Sequence, residues 1–298
     1  MASFRLLFFL SGILIHLGLT TQRHICSDTG DYSANSIYGT NLNNLLSSIP
    51  SLTTLKDGFY NTTAGKNGNK VYSLSLCRGD VSSADCRKCI NTTSHEITKL
   101  CPTQKEAIIW YKVCMLRYSN RAIFSILEET PFYSLWNPNN NSNSGQFNMV
   151  LGDLMDGLVT RATSGASTGM FATGEANLKT SQGSIYGLVQ CTPDISQRDC
   201  EVCLKGAVGQ IQICCDDNKQ GGVVLKPSCN MRYEVFRFYE PIVAGIPPPP
   251  IYGNGSNSSG FVVIIAVPTV ITVILLWIIC FIVRRRRTRR RRKEKVDA

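Results

Sequence analysis

The spacing Cys-x8-Cys-x2-Cys occurs twice in this 298-residue chain, at Cys77, Cys86 and Cys89 and again at Cys191, Cys200 and Cys203. The offset is 114 residues each time (191 − 77, 200 − 86, 203 − 89). It holds for Cys101 and Cys215, and slips to 115 for Cys114 and Cys229. A fixed offset means that one folding unit has been used twice. The period is longer than that of solenoid repeats, so each copy is read as a small domain with its own core.

Of the thirteen cysteines, twelve lie between residues 26 and 229, six in each repeat, and Cys280 stands alone in an apolar run. An even number in an exported chain reads as a disulfide framework. Zinc and redox readings of the two Cys-x-x-Cys pairs are weaker. The three histidines, His16, His24 and His95, do not sit at metal-ligand spacing, and oxidising compartments favour structural bridges. Six cysteines allow fifteen pairings, so spacing alone does not choose among them.

Export is expected from the N-terminus. Met1 to about Thr21 has a basic start at Arg5 and an apolar stretch from Leu6 to Leu19, the pattern of a signal peptide spanning 1–21. At the other end, 241–260 is a Pro/Gly/Ser stalk, and 261–283 is a run of twenty-three residues without a charge. At 1.5 Å per residue such a helix reaches about 34 Å, enough for a bilayer core. The tail 284–298 carries eight Arg, two Lys, one Glu and one Asp. Positive residues stay cytoplasmic, so a type I single-pass topology with the repeats outside is expected.

The formal net charge of +10 comes from that tail and from Arg5 and Arg23. Residues 24 to 260 balance at nineteen basic and nineteen acidic side chains. The body therefore gives no electrostatic case for nucleic acid, and the arginine run beside a span reads as a stop-transfer anchor attracting anionic lipid.

Between these ends the chain divides into repeat one (24–130), an Asn-rich linker (131–145) and repeat two (146–240). Leu42, Leu45, Leu46 and Ile49 predict a short helix ending at Pro50. A second helix, starting at Ser82 or Ser83, would carry Cys86 and Cys89 on one face. Strands are expected at 58–60, 71–76, 108–118 and 121–126. In repeat two, Phe147, Val150, Leu151, Leu154 and Leu158 predict a helix. Strands follow at 184–189 and 223–233, with the second Cys-bearing helix within 195–213.

The doubled cysteine motif, together with Cys114-Met-Leu-Arg-Tyr-Ser119, Phe171-Ala-Thr-Gly174, Leu188-Val-Gln-Cys-Thr-Pro-Asp194 and Pro227-Ser-Cys-Asn-Met-Arg-Tyr-Glu234, resembles the Gnk2-homologous domain (DUF26). That domain is found in plant cysteine-rich receptor-like kinases, their secreted relatives and plasmodesmata-located proteins. The resemblance covers about residues 24 to 239. It implies an α+β fold, two tandem Gnk2-like domains, each with two helices on a five-stranded antiparallel sheet. It also implies bridges Cys26–Cys101, Cys77–Cys86, Cys89–Cys114, Cys191–Cys200 and Cys203–Cys229. The residue 114 after Cys26 is Asn140, so repeat two lacks the first cysteine; it carries an extra one, Cys214 beside Cys215. Those two would form a vicinal pair, stay reduced or bond a partner.

The family's founding member resembles a mannose-binding lectin. Its sugar site uses an Asn after the first cysteine, an Arg six before the last and a Glu five after the last. Here those positions hold Ser27, Ile108 and Ser119 in repeat one. In repeat two the first is absent, the second is Val223, and only Glu234 matches. Ile and Val cannot donate to sugar hydroxyls, so mannose binding by that site is not expected, and Glu234 reads as a surface or strand residue.

No catalytic, cofactor-binding or metal-binding arrangement is expected. Asp85 and Asp199 read as local hydrogen-bonding or early-helix charges, His95-Glu96 has no second His at metalloprotease spacing, and no kinase motif is present. Sequons at Asn61, Asn91, Asn140, Asn254 and Asn257 predict a glycosylated surface, with Asn91 the least accessible. The functional expectation is a plasma-membrane receptor-like protein of plant stress or defence signalling, without a kinase of its own. Its partner would be a co-receptor or another ectodomain, with a glycan as a further ligand class. The alternatives are a plasmodesmata-located regulator of cell-to-cell traffic and a carbohydrate-binding defence protein.

Overall fold

The computed structural model describes residues 22–52, 58–140, 144–165, 170–178, 183–214 and 219–240. The expected leader, stalk, span and basic tail lie outside the described residues, as do Asn254, Asn257, Cys215 and Cys280. Among the described residues no helix is long and apolar enough to cross a membrane.

Repeat one comprises β1 (Arg23–Cys26), α1 (Ile37–Leu52), β2 (Phe59–Ala64), β3 (Val71–Cys77), α2 (Ser83–Leu100), β4 (Ala107–Trp110) and β5 (Cys114–Ser119). Repeat two comprises β6 (Tyr133–Trp136), α3 (Ser144–Thr163), β7 (Phe171–Asn177), β8 (Ser184–Cys191), α4 (Gln197–Cys214), β9 (Gly221–Leu225) and β10 (Cys229–Glu234). The two sheets have the same order, β1-β4-β5-β3-β2 and β6-β9-β10-β8-β7, and every pairing is antiparallel. This is the α+β arrangement of two helices per five-stranded sheet.

The cysteine spacing has a direct geometric meaning in this fold. Cys77 and Cys114 stand opposite each other on β3 and β5, as do Cys191 and Cys229 on β8 and β10. Residues three apart on a helix share a face. Cys86 of α2 therefore reaches Cys77 while Cys89 reaches Cys114, with Cα separations of 5.6 and 6.1 Å. Cys200 and Cys203 of α4 do the same with Cys191 and Cys229, at 5.7 and 6.1 Å. Each helix starts from a serine cap. The Ser82 and Ser196 hydroxyls accept from the backbone N–H of Asp85 and Asp199, each at 3.1 Å, and donate to the same residues' carboxylates. The fifth bridge, Cys26–Cys101, ties β1 to the end of α2.

Several boundaries differ from the sequence reading; 223–233, for one, is the two strands β9 and β10. Tyr133–Trp136 is not linker but the edge strand β6, paired with β9; its four residues, Tyr-Ser-Leu-Trp, are too short a run to show a strand period beside the Asn-rich stretch after it. Residues 121–126 form no strand, and the fifth strand of the first sheet is β1. The 108–118 stretch is two strands joined by a tight turn, in which the Tyr111 N–H donates to the Cys114 carbonyl at 2.8 Å. Helix α1 continues to Leu52, because Pro50 falls in its last turn, where one lost N–H bond is tolerated.

The first core lies between the helices and sheet one, around Leu42, Ile90, Ile97, Ile109, Leu116 and Tyr118. The opposite face of that sheet is also apolar. Leu74, Leu76, Ile108, Trp110 and Met115 are covered by Ile123 and Phe124 of the connector and by Tyr133 and Leu225 of repeat two. Tyr133 packs edge-on against Trp110 with ring centres 6.0 Å apart and donates to the His24 carbonyl at 3.0 Å. Both repeats accordingly belong to one compact unit.

A reciprocal clamp closes the seam. After its last strand each repeat runs on as a strap, 120–132 after β5 and 235–240 after β10. Asp194, in the loop after β8, accepts from the Ser125 N–H of the first strap at 2.8 Å. Asp80, in the loop after β3, accepts from the Glu240 N–H of the second at 2.9 Å. Asp80 and Asp194 are 114 apart, and Ser125 and Glu240 are 115 apart, so the two contacts are equivalent. Arg78 adds a 3.2 Å bond to the Phe238 carbonyl and a two-point pair with Asp80, whose side chain is fully buried. Asp80→Ala is expected to cost about 3 kcal/mol, since it leaves Arg78 buried without its partner. Hydrogen exchange should then accelerate at residues 236–240, while α3 and α4 keep their protection.

Candidate functional site

The register of the sheets, rather than counting along the chain, tells which residues of repeat two stand at the family's sugar-site positions. Cys26 faces Ala107 across β1 and β4, and Trp136 faces Gly222 across β6 and β9. Ala107 and Gly222 are 115 apart, like Cys114 and Cys229. Trp136, not Asn140, therefore takes the place of Cys26, and among the described residues the Cys26–Cys101 bridge has no counterpart in repeat two. The next residue follows suit. The Ser27 N–H donates to the Glu106 carbonyl at 3.0 Å, and the Asn137 N–H donates to the Gly221 carbonyl at 2.8 Å. An Asn thus stands at the first sugar-site position after all. From the first strand to the Cys77 or Cys191 position repeat two is four residues longer (191 − 136 = 55 against 77 − 26 = 51), with α3 at 20 residues against 16 for α1, so a count along the sequence misses this Asn.

In repeat one two of the three positions are closed, and Ser27 is half-buried. Ile108 and Ser119 are buried, and the Ser119 hydroxyl accepts from the Arg121 N–H at 3.1 Å. A charge cluster fills the space beside them. Arg117 of β5 donates to Glu106 at 2.6 Å and pairs with Glu128 of the strap. Arg121 lies across the top, with Nε on one Glu106 oxygen at 3.0 Å and Nη2 on the other at 2.8 Å, and it also bonds Glu128. Burial alone would raise the Glu106 carboxyl, but the hydrogen bonds and charges of Arg121 and Arg117 outweigh it and hold its pKa below the ordinary range.

Repeat two carries the same arginine on a different carboxylate. Arg232 is 115 after Arg117, and it binds Glu234, at 3.2 Å from Nε and 2.8 Å from Nη2, both to Oε1. Glu106 and Ser119 face each other in sheet one, as do Gly221 and Glu234 in sheet two. The carboxylate has moved from one strand to the strand opposite, and Gly221 leaves the room it needs: a Cβ there would collide with the Glu234 carboxylate. Val223 stands half-buried at the second sugar-site position, and Phe238 lies under the Arg232 guanidinium, 4.3 Å from its ring centre. Burial raises the Glu234 pKa, and Arg232 offsets only part of that rise. Glu234 is a strand residue, as expected, and only one of its oxygens is held by a charge.

Of the sequons, Asn61 on β2, Asn91 on α2 and Asn140 after β6 are all exposed. Asn91 is thus as open as the others, because it lies on the outer face of α2, next to buried Ile90 but turned away from it. Asn140 accepts from the Lys219 ammonium at 2.7 Å. Cys214 is the last residue of α4, and Cys215 follows outside the described residues. Among the described residues no His, Cys, Asp and Glu cluster could hold a metal ion.

The profile of the salt stress response/antifungal family matches residues 25–121 and 136–235, one match per repeat. The chain belongs to this family. Over 221 residues it is 43% identical to cysteine-rich receptor-like protein kinase 26 of Arabidopsis thaliana, covering 73% of this chain and 33% of the kinase. It is 41% identical to cysteine-rich repeat secretory protein 38 of the same plant, covering 72% of this chain and 84% of that protein. The chain thus spans about a third of the receptor kinase and most of the secretory protein. Among solved structures it is similar to the tandem DUF26 ectodomain of the Arabidopsis thaliana cysteine-rich receptor-like protein PDLP8. The TM-score is 0.63 at 26% identity, over 72% of this chain and 97% of the other. The matched part corresponds to the tandem DUF26 ectodomain of that structure.

Proposed function

We propose that this family member is a single-pass, outward-facing receptor-like protein whose tandem modules recognise a partner ectodomain in plant stress or defence signalling. The observation that carries the reading is the order of segments at the C-terminal end. The strap docked on the first module is followed by the Pro/Gly/Ser stalk, twenty-three uncharged residues and eight arginines. A rigid double module on a tether suits recognition, and the two modules present one surface because their inner sheet faces are occupied by the seam. Signal output would come from another protein or from a longer form of the chain.

Topology tests this reading. Full-length protein with a C-terminal tag, made in plant microsomes, should lose mass on glycosidase treatment. External protease should remove the tag while leaving the lumenal modules intact. An unglycosylated product with modules open to external protease would refute it. A second reading, a regulator of cell-to-cell traffic at plasmodesmata, is favoured by the likeness to the PDLP8 ectodomain. A fluorescent fusion separates the two: wall-spanning puncta support the second, an even plasma-membrane outline the first.

A further inference from the structure

The two modules serve as each other's reference. In module one the Arg117–Glu106 pair is completed by Arg121, whose guanidinium takes both oxygens of Glu106. The residue 115 after Arg121 is Phe236, and the clamp contacts at Ser125 and Glu240 confirm this alignment of the straps. Phe236 cannot donate a hydrogen bond, and it is 51% exposed, turned out to solvent. Module two therefore has the arginine and the carboxylate but not the second guanidinium. The consequence is visible at one atom. Glu234 Oε2 is buried and has no hydrogen-bond partner, while Oε1 takes both bonds from Arg232. A buried carboxylate oxygen without a donor is costly, and the sister module shows which group relieves that cost.

We infer that Glu234 is a recognition point for a guanidinium from outside the chain, an arginine side chain of a partner protein, which takes the place Arg121 holds in module one. Glu234 is the last residue of the central strand β10, with Gly221 opposite it contributing no side chain, half-buried Asn137 bonded to Gly221 from the edge-strand side and exposed Phe236 two residues on along the strap. An arriving arginine finds a carboxylate for its N–H groups and an aromatic ring for its flat face, the two contacts a guanidinium favours over an ammonium. Of the family's three sugar-site positions Asn137 and Glu234 are kept and Val223 holds no donor, so a hydroxyl-rich ligand is the competitor that the test includes. The inference deepens the recognition role proposed above, and it fails separately: topology is read by glycosylation and protease protection, this site by arginine binding.

The test uses the full chain in nanodiscs with N-acetyl-arginine methylamide as the probe, followed by saturation-transfer NMR. The citrulline analogue, equal in shape but uncharged, and methyl mannoside are run beside it. Saturable transfer to the arginine probe is expected, with citrulline at least tenfold weaker and mannoside silent. Glu234→Gln should abolish it, while Glu201→Gln on the exposed face of α4 leaves it unchanged. Phe236→Arg restores the missing guanidinium from within the chain, so it should both block the probe and raise the melting temperature. Equal transfer to arginine and citrulline, displacement by mannoside, or undiminished arginine binding in Phe236→Arg would overturn the inference.

Discussion

Glu106→Ala is expected to destabilise the tandem unit by about 3–5 kcal/mol, the usual cost of leaving a buried ionic partner alone. The side chains of Arg117 and Glu106 are 6% and 9% exposed, so water cannot replace what the substitution removes. Glu128 still pairs with Arg117 and Arg121, which keeps the cost near the lower end. For a unit of this size the melting temperature would fall by roughly 6–15 °C. Exchanging Glu106 and Arg117 together for Leu and Met should cost less than Glu106→Ala, because no charge is then stranded. A double variant less stable than the single one would show that the cluster contributes net attraction. Since the folded state lowers the Glu106 pKa, its contribution is present above the unfolded carboxylate range, near pH 4–5, and is lost as pH falls through the lower folded value. Glu234 has the opposite sign. Its raised pKa penalises the fold at neutral pH, and protonation relieves that penalty as pH falls. Acid unfolding of wild type and Glu106→Ala should therefore converge at low pH, whereas Glu234→Gln should gain on wild type as pH rises.

Removing the Cys26–Cys101 bridge by a double Ala substitution is expected to cost about 4–5 kcal/mol on the chain-entropy account, since that bridge closes the longest loop. Its sequence separation is 75, against 9 for Cys77–Cys86 and 25 for Cys89–Cys114. The corresponding estimate for the nine-residue closure is about 2–3 kcal/mol. Denaturant melts of the two double variants, compared at equal m-value, measure the order. The result also bears on module two, which keeps its fold without this bridge. There Phe147, Leu158, Ile185, Met231 and Tyr233 are buried in one core, and packing must supply what the crosslink does elsewhere. A Cys77–Cys86 loss equal to or larger than that of Cys26–Cys101 would refute the loop-length account for this protein.

The cysteine pattern carried most of the fold through the family it resembles; the reach of Cys86, Cys89, Cys200 and Cys203 follows from helix pitch only once the strand register is known. Ser82 caps α2, and a start there or at Ser83 was legible from local capping chemistry. The edge strands were not. Arg23–Cys26 and Tyr133–Trp136 are four residues each and owe their pairing to β4 and β9 rather than to their own pattern. Nor was the seam legible. Arg121 and Glu106 are fifteen residues apart, and nothing in the run of amino acids says that a strap will fold back to join them. The mistaken equivalence of Asn140 with Cys26 has a plain cause: a constant offset assumes elements of equal length, and α3 has 20 residues against 16 for α1.

The reciprocal clamp has a consequence for how such a molecule can change. Two copies related as Asp80 and Asp194 are would, as separate chains, form an isologous homodimer, in which every substitution appears on both sides of the axis. Fusion into a single polypeptide lifts that constraint. One half can keep a closed ionic lock while the other gives up the arginine and opens the same pocket to a visitor, so that a structural fastening on one side becomes a socket on the other.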